Sequence, residues 1–191
     1  MKIIDRKIEQ FANYLQRKNN LDHIQFLKVR LGMQVVAINI EKTIVVYGLA
    51  LIFRIFVYTL LTHITYFLIR RNAHGAHANS SLMCHIVNII IFILIPWLLT
   101  LFHINVYALI VTGVLSLIII IKYAPSETKK QPIPKHLIKR KQLGSVVTCI
   151  LILIACIFIK EPFVYFVIWG IFVESLTLLP IFSTNKEDVL K

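Results

Sequence analysis

The chain has 191 residues, 58% of them hydrophobic, and a formal net charge of +12. Soluble domains sit near ~45–50% apolar and break their apolar runs with charges, whereas residues 72–121 contain no Asp, Glu, Lys or Arg. This excludes a soluble globular domain, and with it a basic domain for nucleic acid; it leaves a polytopic membrane protein whose positive excess marks cytoplasmic loops and meets anionic membrane lipids.

The predicted fold is all-α: two N-terminal amphipathic helices over residues 1–32, then about six membrane segments over 33–191. Four of these are plain, and a further pair in 33–69 admits two readings. No cleavable signal peptide is visible, because the N-terminal stretch is charged and amphipathic. Residues 2–18 place Ile4, Ile8, Phe11 and Leu15 at helical spacing, with Lys2, Arg6, Glu9 and Asn13 largely elsewhere on the wheel. Residues 21–31 repeat the theme, with Asn20 as N-cap, Ile24, Leu27 and Leu31 as the stripe, and Gly32 as the stop. The first 30 residues carry seven basic and three acidic side chains, as expected of helices on the cytoplasmic membrane face or packed on the bundle. Residues 33–69 are apolar but interrupted by Glu41-Lys42 and Arg54. Either Arg54 lies at an apex between two spans, 34–53 and 55–69, the preferred reading because it puts both the basic N-terminus and Arg70-Arg71 inside, or one long span, Thr43 to Ile69, buries Arg54. In the second case Arg54 needs a partner, and Glu174, alone inside the last apolar run, is the candidate.

The later spans form two pairs. Residues 82–102 and 104–121 join at an uncharged turn over 103–105, and residues 143–159 and 162–182 join at Lys160-Glu161-Pro162. Between the pairs, residues 122–141 carry seven Lys or Arg against the single Glu127, and Pro125, Pro132 and Pro134 keep this loop from being one helix. The positive-inside rule makes it cytoplasmic. Of the three cysteines, Cys149 and Cys156 lie seven apart in an apolar run and read as small core hydrophobes; no disulfide framework is expected.

Cys84 differs because of its neighbours. Residues 70–85 crowd Arg70, Arg71, Asn72, three imidazoles, Gly75, Asn79, Ser80, Ser81 and Cys84 between apolar flanks. Cysteine reacts as the thiolate, and a free thiol with a pKa of about 8.5 is mostly protonated at neutral pH. Cys84 therefore needs a base or a positive field. His77 is the candidate base. On one straight helix His77 and Cys84 would stand two turns apart, out of hydrogen-bond reach, so a break is predicted between them. Gly75 and the N-cap residues Asn79, Ser80 and Ser81 supply it. If Ser80 or Ser81 caps a span beginning near 82, Cys84 falls in its first turn. Free N–H groups and the positive dipole end there favour a thiolate and can receive an oxyanion. Arg70 and Arg71 add positive field. The same residues admit a second reading, a non-enzymatic metal transporter or sensor subunit, with His74, His77, Cys84 and His85 as ligands for zinc or copper. Against it, His85 points about 100° round a helix from Cys84, no carboxylate lies near, and no His-Glu-x-x-His motif exists.

The run Arg70-Arg71-Asn72-Ala73-His74-Gly75-Ala76-His77-Ala78, followed by Cys84, resembles the signature of the accessory gene regulator B family, membrane peptidases of Gram-positive peptide quorum sensing. The likeness extends to the length, the charged N-terminal helices and the basic loop before the last two spans. The resemblance implies that 33–191 is a transmembrane cysteine peptidase domain without a metal or cofactor, and that His77 and Cys84 are its catalytic pair. It implies a substrate as well, an AgrD-like autoinducing-peptide precursor whose acidic C-terminal tail is cut off before a thiolactone ring forms. Arg70, Arg71, Lys129 and Lys130 are the candidate contacts for that tail. Many members read Gly-Gly-aromatic-His-Ala where this chain has His74-Gly75-Ala76-His77-Ala78, which suggests that the mechanism does not require His74. The expected location is the bacterial cell membrane, multi-pass, with both termini and the site on the cytoplasmic side; a homodimer is left open.

Overall fold

The structure, a computed structural model, describes residues 2–76, 81–127 and 133–181. The chain divides into two compact units, Met1–Gly48 and Leu49–Lys191. In the first, helix α1 (Lys2–Asn19) leads into α2 (His23–Ile52). Asn20 takes a positive φ of 49°, and the Leu21 N–H donates to the Gln16 carbonyl at 3.1 Å, which closes α1 in a Schellman arrangement. A capping box opens α2. Asp22 Oδ1 accepts from the Gln25 N–H at 2.6 Å, and Gln25 Oε1 accepts from the Asp22 N–H at 3.1 Å. Asn20, expected to start the second helix, therefore ends the first. Gly32 does not stop α2 either. A Gly inside a helix costs only about 1 kcal/mol against Ala, and the apolar run beyond it carries the helix on. Along α1, Ile8 and Ala12 are buried one turn apart, and an Arg30–Glu9 pair at 3.8 Å ties the two helices. Phe11, placed on the apolar stripe by spacing alone, is exposed and stacks on Tyr14.

The second unit comprises the end of α2 and the helices α3 (Phe56–Ala73), α4 (Ser81–Ile89), α5 (Ile95–Leu99), α6 (Val106–Tyr123), α7 (Lys135–Cys156) and α8 (Phe163–Thr177). Arg54 settles the alternative in 33–69. It is exposed, its φ is 57°, the Ile55 N–H reaches the Ala50 carbonyl at 2.9 Å, and the Arg54 N–H reaches Leu51 at 3.1 Å. This is a second Schellman close, with buried Ile55 as its apolar anchor. The segment is two helices with a turn at Arg54, and Glu174 is not its partner.

The bundle is built around α8. From 165 to 175 every residue but Trp169 and Phe172 is buried. Helix α3 packs most extensively on α8 and next on α7, and α6 packs on both. The buried seam of α3 is Thr59, Thr62, Thr65, Ile69 and Ala73. Small residues on such a seam let backbones approach: a Cβ added at Gly170 would lie 2.7 Å from the Thr62 carbonyl. The Thr62 hydroxyl donates to the Phe166 carbonyl at 3.2 Å. Meanwhile Leu82 and Ile86 of α4, Ile110, Val114 and Ile118 of α6 and Leu151 of α7 are exposed. Hydroxyls and a carboxylate inside, with aliphatic side chains outside, suit a bundle whose solvent is lipid.

Between α4 and α5 the helix widens into a π-helical turn, Ile90–Leu94. Pro96 is the cause. It has no N–H for the Phe92 carbonyl and its ring crowds that oxygen. The Ile95 N–H bonds instead to Ile90, five residues back. The carbonyls left over find side-chain donors on the bundle: Thr59 Oγ1 donates to Phe92 at 2.8 Å, and Trp169 Nε1 donates to Ile91 at 3.0 Å.

Among the described residues, three helices combine the length and apolar character of a membrane span: His23–Ile52, Leu82–Leu99 and Val106–Tyr123. The turn expected at 103–105 is there, with Asn105 Oδ1 capping α6 by accepting from the Tyr107 N–H at 2.9 Å. The segment expected at 162–182 is α8, apolar but only 15 residues long. The segment expected at 143–159 is the later half of α7. That helix starts directly after Pro134, a residue suited to a helix start, so Lys135 to Lys141 are helical and not loop.

Candidate active site

Arg70 sits one turn before the end of α3. Its guanidinium is committed in three directions. Nη1 lies 3.1 Å from Glu174 Oε2 and 3.3 Å from Thr177 Oγ1, and Nη2 donates to the Ala76 carbonyl at 2.8 Å. The guanidinium also lies 5.2 Å from the Tyr66 ring centre. The Arg70 side chain is 17% exposed and that of Glu174 is fully buried. A buried ion pair of this kind is costly to break from one side, because the remaining charge is stranded. Among the described residues, Glu174 Oε1 is a buried polar atom without a hydrogen-bond partner.

The segment after α3 is held from every side. The His74 N–H closes on the Arg70 carbonyl at 2.9 Å, and His74 then takes a positive φ of 62°. Gly75 donates to the Ser126 carbonyl at 3.3 Å, Ser126 donates to Ala73 at 2.9 Å, and Ala76 donates to the Thr177 carbonyl at 3.0 Å. Lys141 Nζ lies 2.7 Å from His74 Nε2. An ammonium has only donors, so this imidazole nitrogen accepts. The end of α3, the chain at 126, α7 and the C-terminus of α8 therefore meet at one junction. Gly75 is obligatory there: its φ is 115°, and a Cβ would stand 2.5 Å from Thr177 Oγ1.

Cys84 is the fourth residue of α4, in its first turn as the spacing predicted, and is half-buried. No straight helix joins the two halves of the region: α3 stops at Ala73, residues 74–76 are not helical, and α4 starts at Ser81. His77, Ser80, Lys129 and Lys130 lie outside the described residues. Ser81 opens α4. Arg71 is exposed and His85 half-buried. Cys149 belongs to the bundle core as expected, and Cys156 is half-buried and packs against it. Among the described residues no three His, Cys, Asp or Glu side chains gather as a metal site requires, and His74 is engaged by Lys141.

Spacing alone does not single out Glu174 or Thr177 as neighbours of this segment. A signal existed for the first. A lone carboxylate in an apolar run must find a cation, but spacing could not say that the cation is Arg70 and not Arg54.

The profile of the accessory gene regulator B family matches residues 8–178. The chain is 62% identical to accessory gene regulator protein B of Staphylococcus epidermidis over 189 residues, covering 99% of this chain and 97% of that protein. It is 56% identical to the protein of that name from Staphylococcus haemolyticus, covering 98% and 100%, and 54% identical to that from Staphylococcus aureus strain Newman, covering 99% and 100%. No solved structure matches it. With the profile covering most of its length and relatives matching end to end, this chain belongs to the accessory gene regulator B family.

Proposed function

We propose that this chain is a membrane-embedded cysteine peptidase of peptide quorum sensing, which cuts the acidic tail from an autoinducing-peptide precursor and closes the remainder into a thiolactone. The observation that carries this reading is the placement of Cys84 in the first turn of a helix, while the segment leading into His77 is clamped by the Arg70 guanidinium. His77 takes the Cys84 thiol proton. The thiolate attacks the carbonyl carbon of the peptide bond before the tail, and N–H groups at the start of α4 receive the oxyanion. The C–N bond breaks, His77 returns the proton to the leaving amine, and the peptide remains as a thioester on Cys84. A cysteine thiol within the peptide, deprotonated in turn by His77, attacks that thioester. The ring closes and the Cys84 thiol is regenerated. The second step exchanges one thioester for another and is nearly neutral in free energy, which suits a cysteine nucleophile. The first step, amide to thioester, is uphill and is drawn forward by removal of product.

In this reading the bundle crosses the membrane with about six segments, α3, α7 and α8 joining the three long apolar helices. The site and both termini face the cytoplasm. Arg71, Lys129 and Lys130 meet the acidic tail, with Arg70 supplying field from beneath. Cys84→Ala and Cys84→Ser should each abolish cleavage of a precursor-class peptide (amphipathic leader, cysteine-bearing centre, acidic tail), whereas Cys149→Ala and Cys156→Ala should not. Intact-protein mass measurement should find the truncated peptide covalently on Cys84 when the peptide's own cysteine is replaced by serine. Undiminished cleavage by Cys84→Ala would refute the reading.

A further inference from the structure

We propose that Glu174 is a positioning residue of the Cys84 site, acting through Arg70 on the segment that leads into His77; this rests on the peptidase reading above. Glu174 Oε2 holds Nη1 of Arg70 at 3.1 Å, and the other arm of the same guanidinium holds the Ala76 carbonyl at 2.8 Å. Ala76 is the residue directly before His77. One planar, two-armed group therefore fixes the chain that delivers the base, and its orientation is set from α8 by Glu174. Thr177, one turn on, closes the device. Its hydroxyl donates to the Glu174 carbonyl at 2.8 Å and lies 3.3 Å from Glu174 Oε2, while its own carbonyl accepts from the Ala76 N–H at 3.0 Å.

Two observations separate this device from an ordinary ion pair. The carboxylate is fully buried in the most enclosed helix of the bundle, a costly place for a charge whose only role is adhesion. It also uses a single oxygen on Arg70, leaving the other arm of the guanidinium for the Ala76 backbone and its own Oε1 unpartnered among the described residues. A bidentate pair would satisfy both carboxylate oxygens and would be the stronger clasp. The arrangement seen gives up that second bond for a hold on the segment before His77.

Lysine has one ammonium head and cannot hold both partners in this geometry. Arg70→Lys, Glu174→Gln and Glu174→Asp, each in the full chain in lipid vesicles, should lower kcat for the synthetic precursor-class peptide on the order of 10- to 100-fold, the scale of an ångström-sized misplacement. KM should stay within about twofold, because the peptide's leader and tail are bound elsewhere. Arg70→Lys combined with Glu174→Gln should be no slower than the worse single variant, since both break one device. Glu174→Asp keeps the charge and guards against a variant that fails to fold, and thermal melts in detergent report that directly. Exchanging the pair, Arg70→Glu with Glu174→Arg, should restore the melt without restoring kcat. A native kcat in Glu174→Gln or Glu174→Asp, or recovery of kcat by the exchange, would overturn the inference. Loss of cleavage in Cys84→Ala alongside native Glu174 variants would leave the peptidase reading standing without it.

Discussion

Gly75 shows how much one residue carries. It sits between His74, whose imidazole accepts from Lys141, and Ala76, whose carbonyl accepts from Arg70, at a φ that disfavours any side chain. Gly75→Ala should cost about 1–3 kcal/mol from backbone strain and push Thr177 off the junction, with a lowered melt and a larger fall in peptide cleavage than the melt explains. Cleavage that only follows the melt would show that the junction does not feed the site. The sequence presented Gly75 simply as a break before His77. Its close approach to Thr177, 102 positions further along, is a tertiary fact.

At the scale of elements, the α4–α5 span illustrates a rule for helices in lipid: a carbonyl that loses its helical donor must find another. Thr59 and Trp169 are the donors that let Pro96 be tolerated. Thr59→Val should destabilise the bundle by about 1 kcal/mol, within the range of interhelical hydrogen bonds in membranes. Pro96→Ala restores a backbone N–H for Phe92 and should reduce that cost, so a double-mutant cycle in detergent melts should show favourable coupling between the two changes. Additive effects would mean that the hydroxyl does not substitute for the missing donor. The same scale explains the revised ends of α1 and α2. Asn20 and Arg54 both take the left-handed conformation after a helix, and each close is anchored by the residue that follows, Leu21 and Ile55. Spacing marked Asn20 as polar and helix-adjacent, but only the hydrogen bonds show on which side of the turn it works.

For the whole molecule, charge and polarity are distributed by solvent. The bundle exposes aliphatic side chains and turns Thr59, Thr62, Thr65, Ser116, Ser145 and Glu174 inward. Its basic residues concentrate at the end that carries the junction, with Arg70 and Arg71 finishing α3 and Lys139, Arg140 and Lys141 in the first turns of α7. Reversing the charges of Lys129 and Lys130 should slow cleavage of an acidic-tailed peptide at least several-fold through KM, with the effect shrinking at high salt. A peptide with a neutral tail should be indifferent. Equal slowing of both peptides would remove these lysines from tail recognition.

The sequence by itself determined the class of fold, the apolar spans on either side of the 103–105 turn, and the polar segment with Cys84 at a helix start. These follow from local quantities: hydropathy over a helix length, capping chemistry, and the spacing of a thiol from the residues that end its helix. The tertiary structure alone decided which cation neutralises Glu174, that Pro96 opens a π turn satisfied by Thr59 and Trp169, and that the ends of α3 and α8 meet at Gly75. Each of these joins residues far apart in the chain. Only packing, by removing alternative partners and leaving no water to stand in for them, selects one pairing from the several that the composition permits.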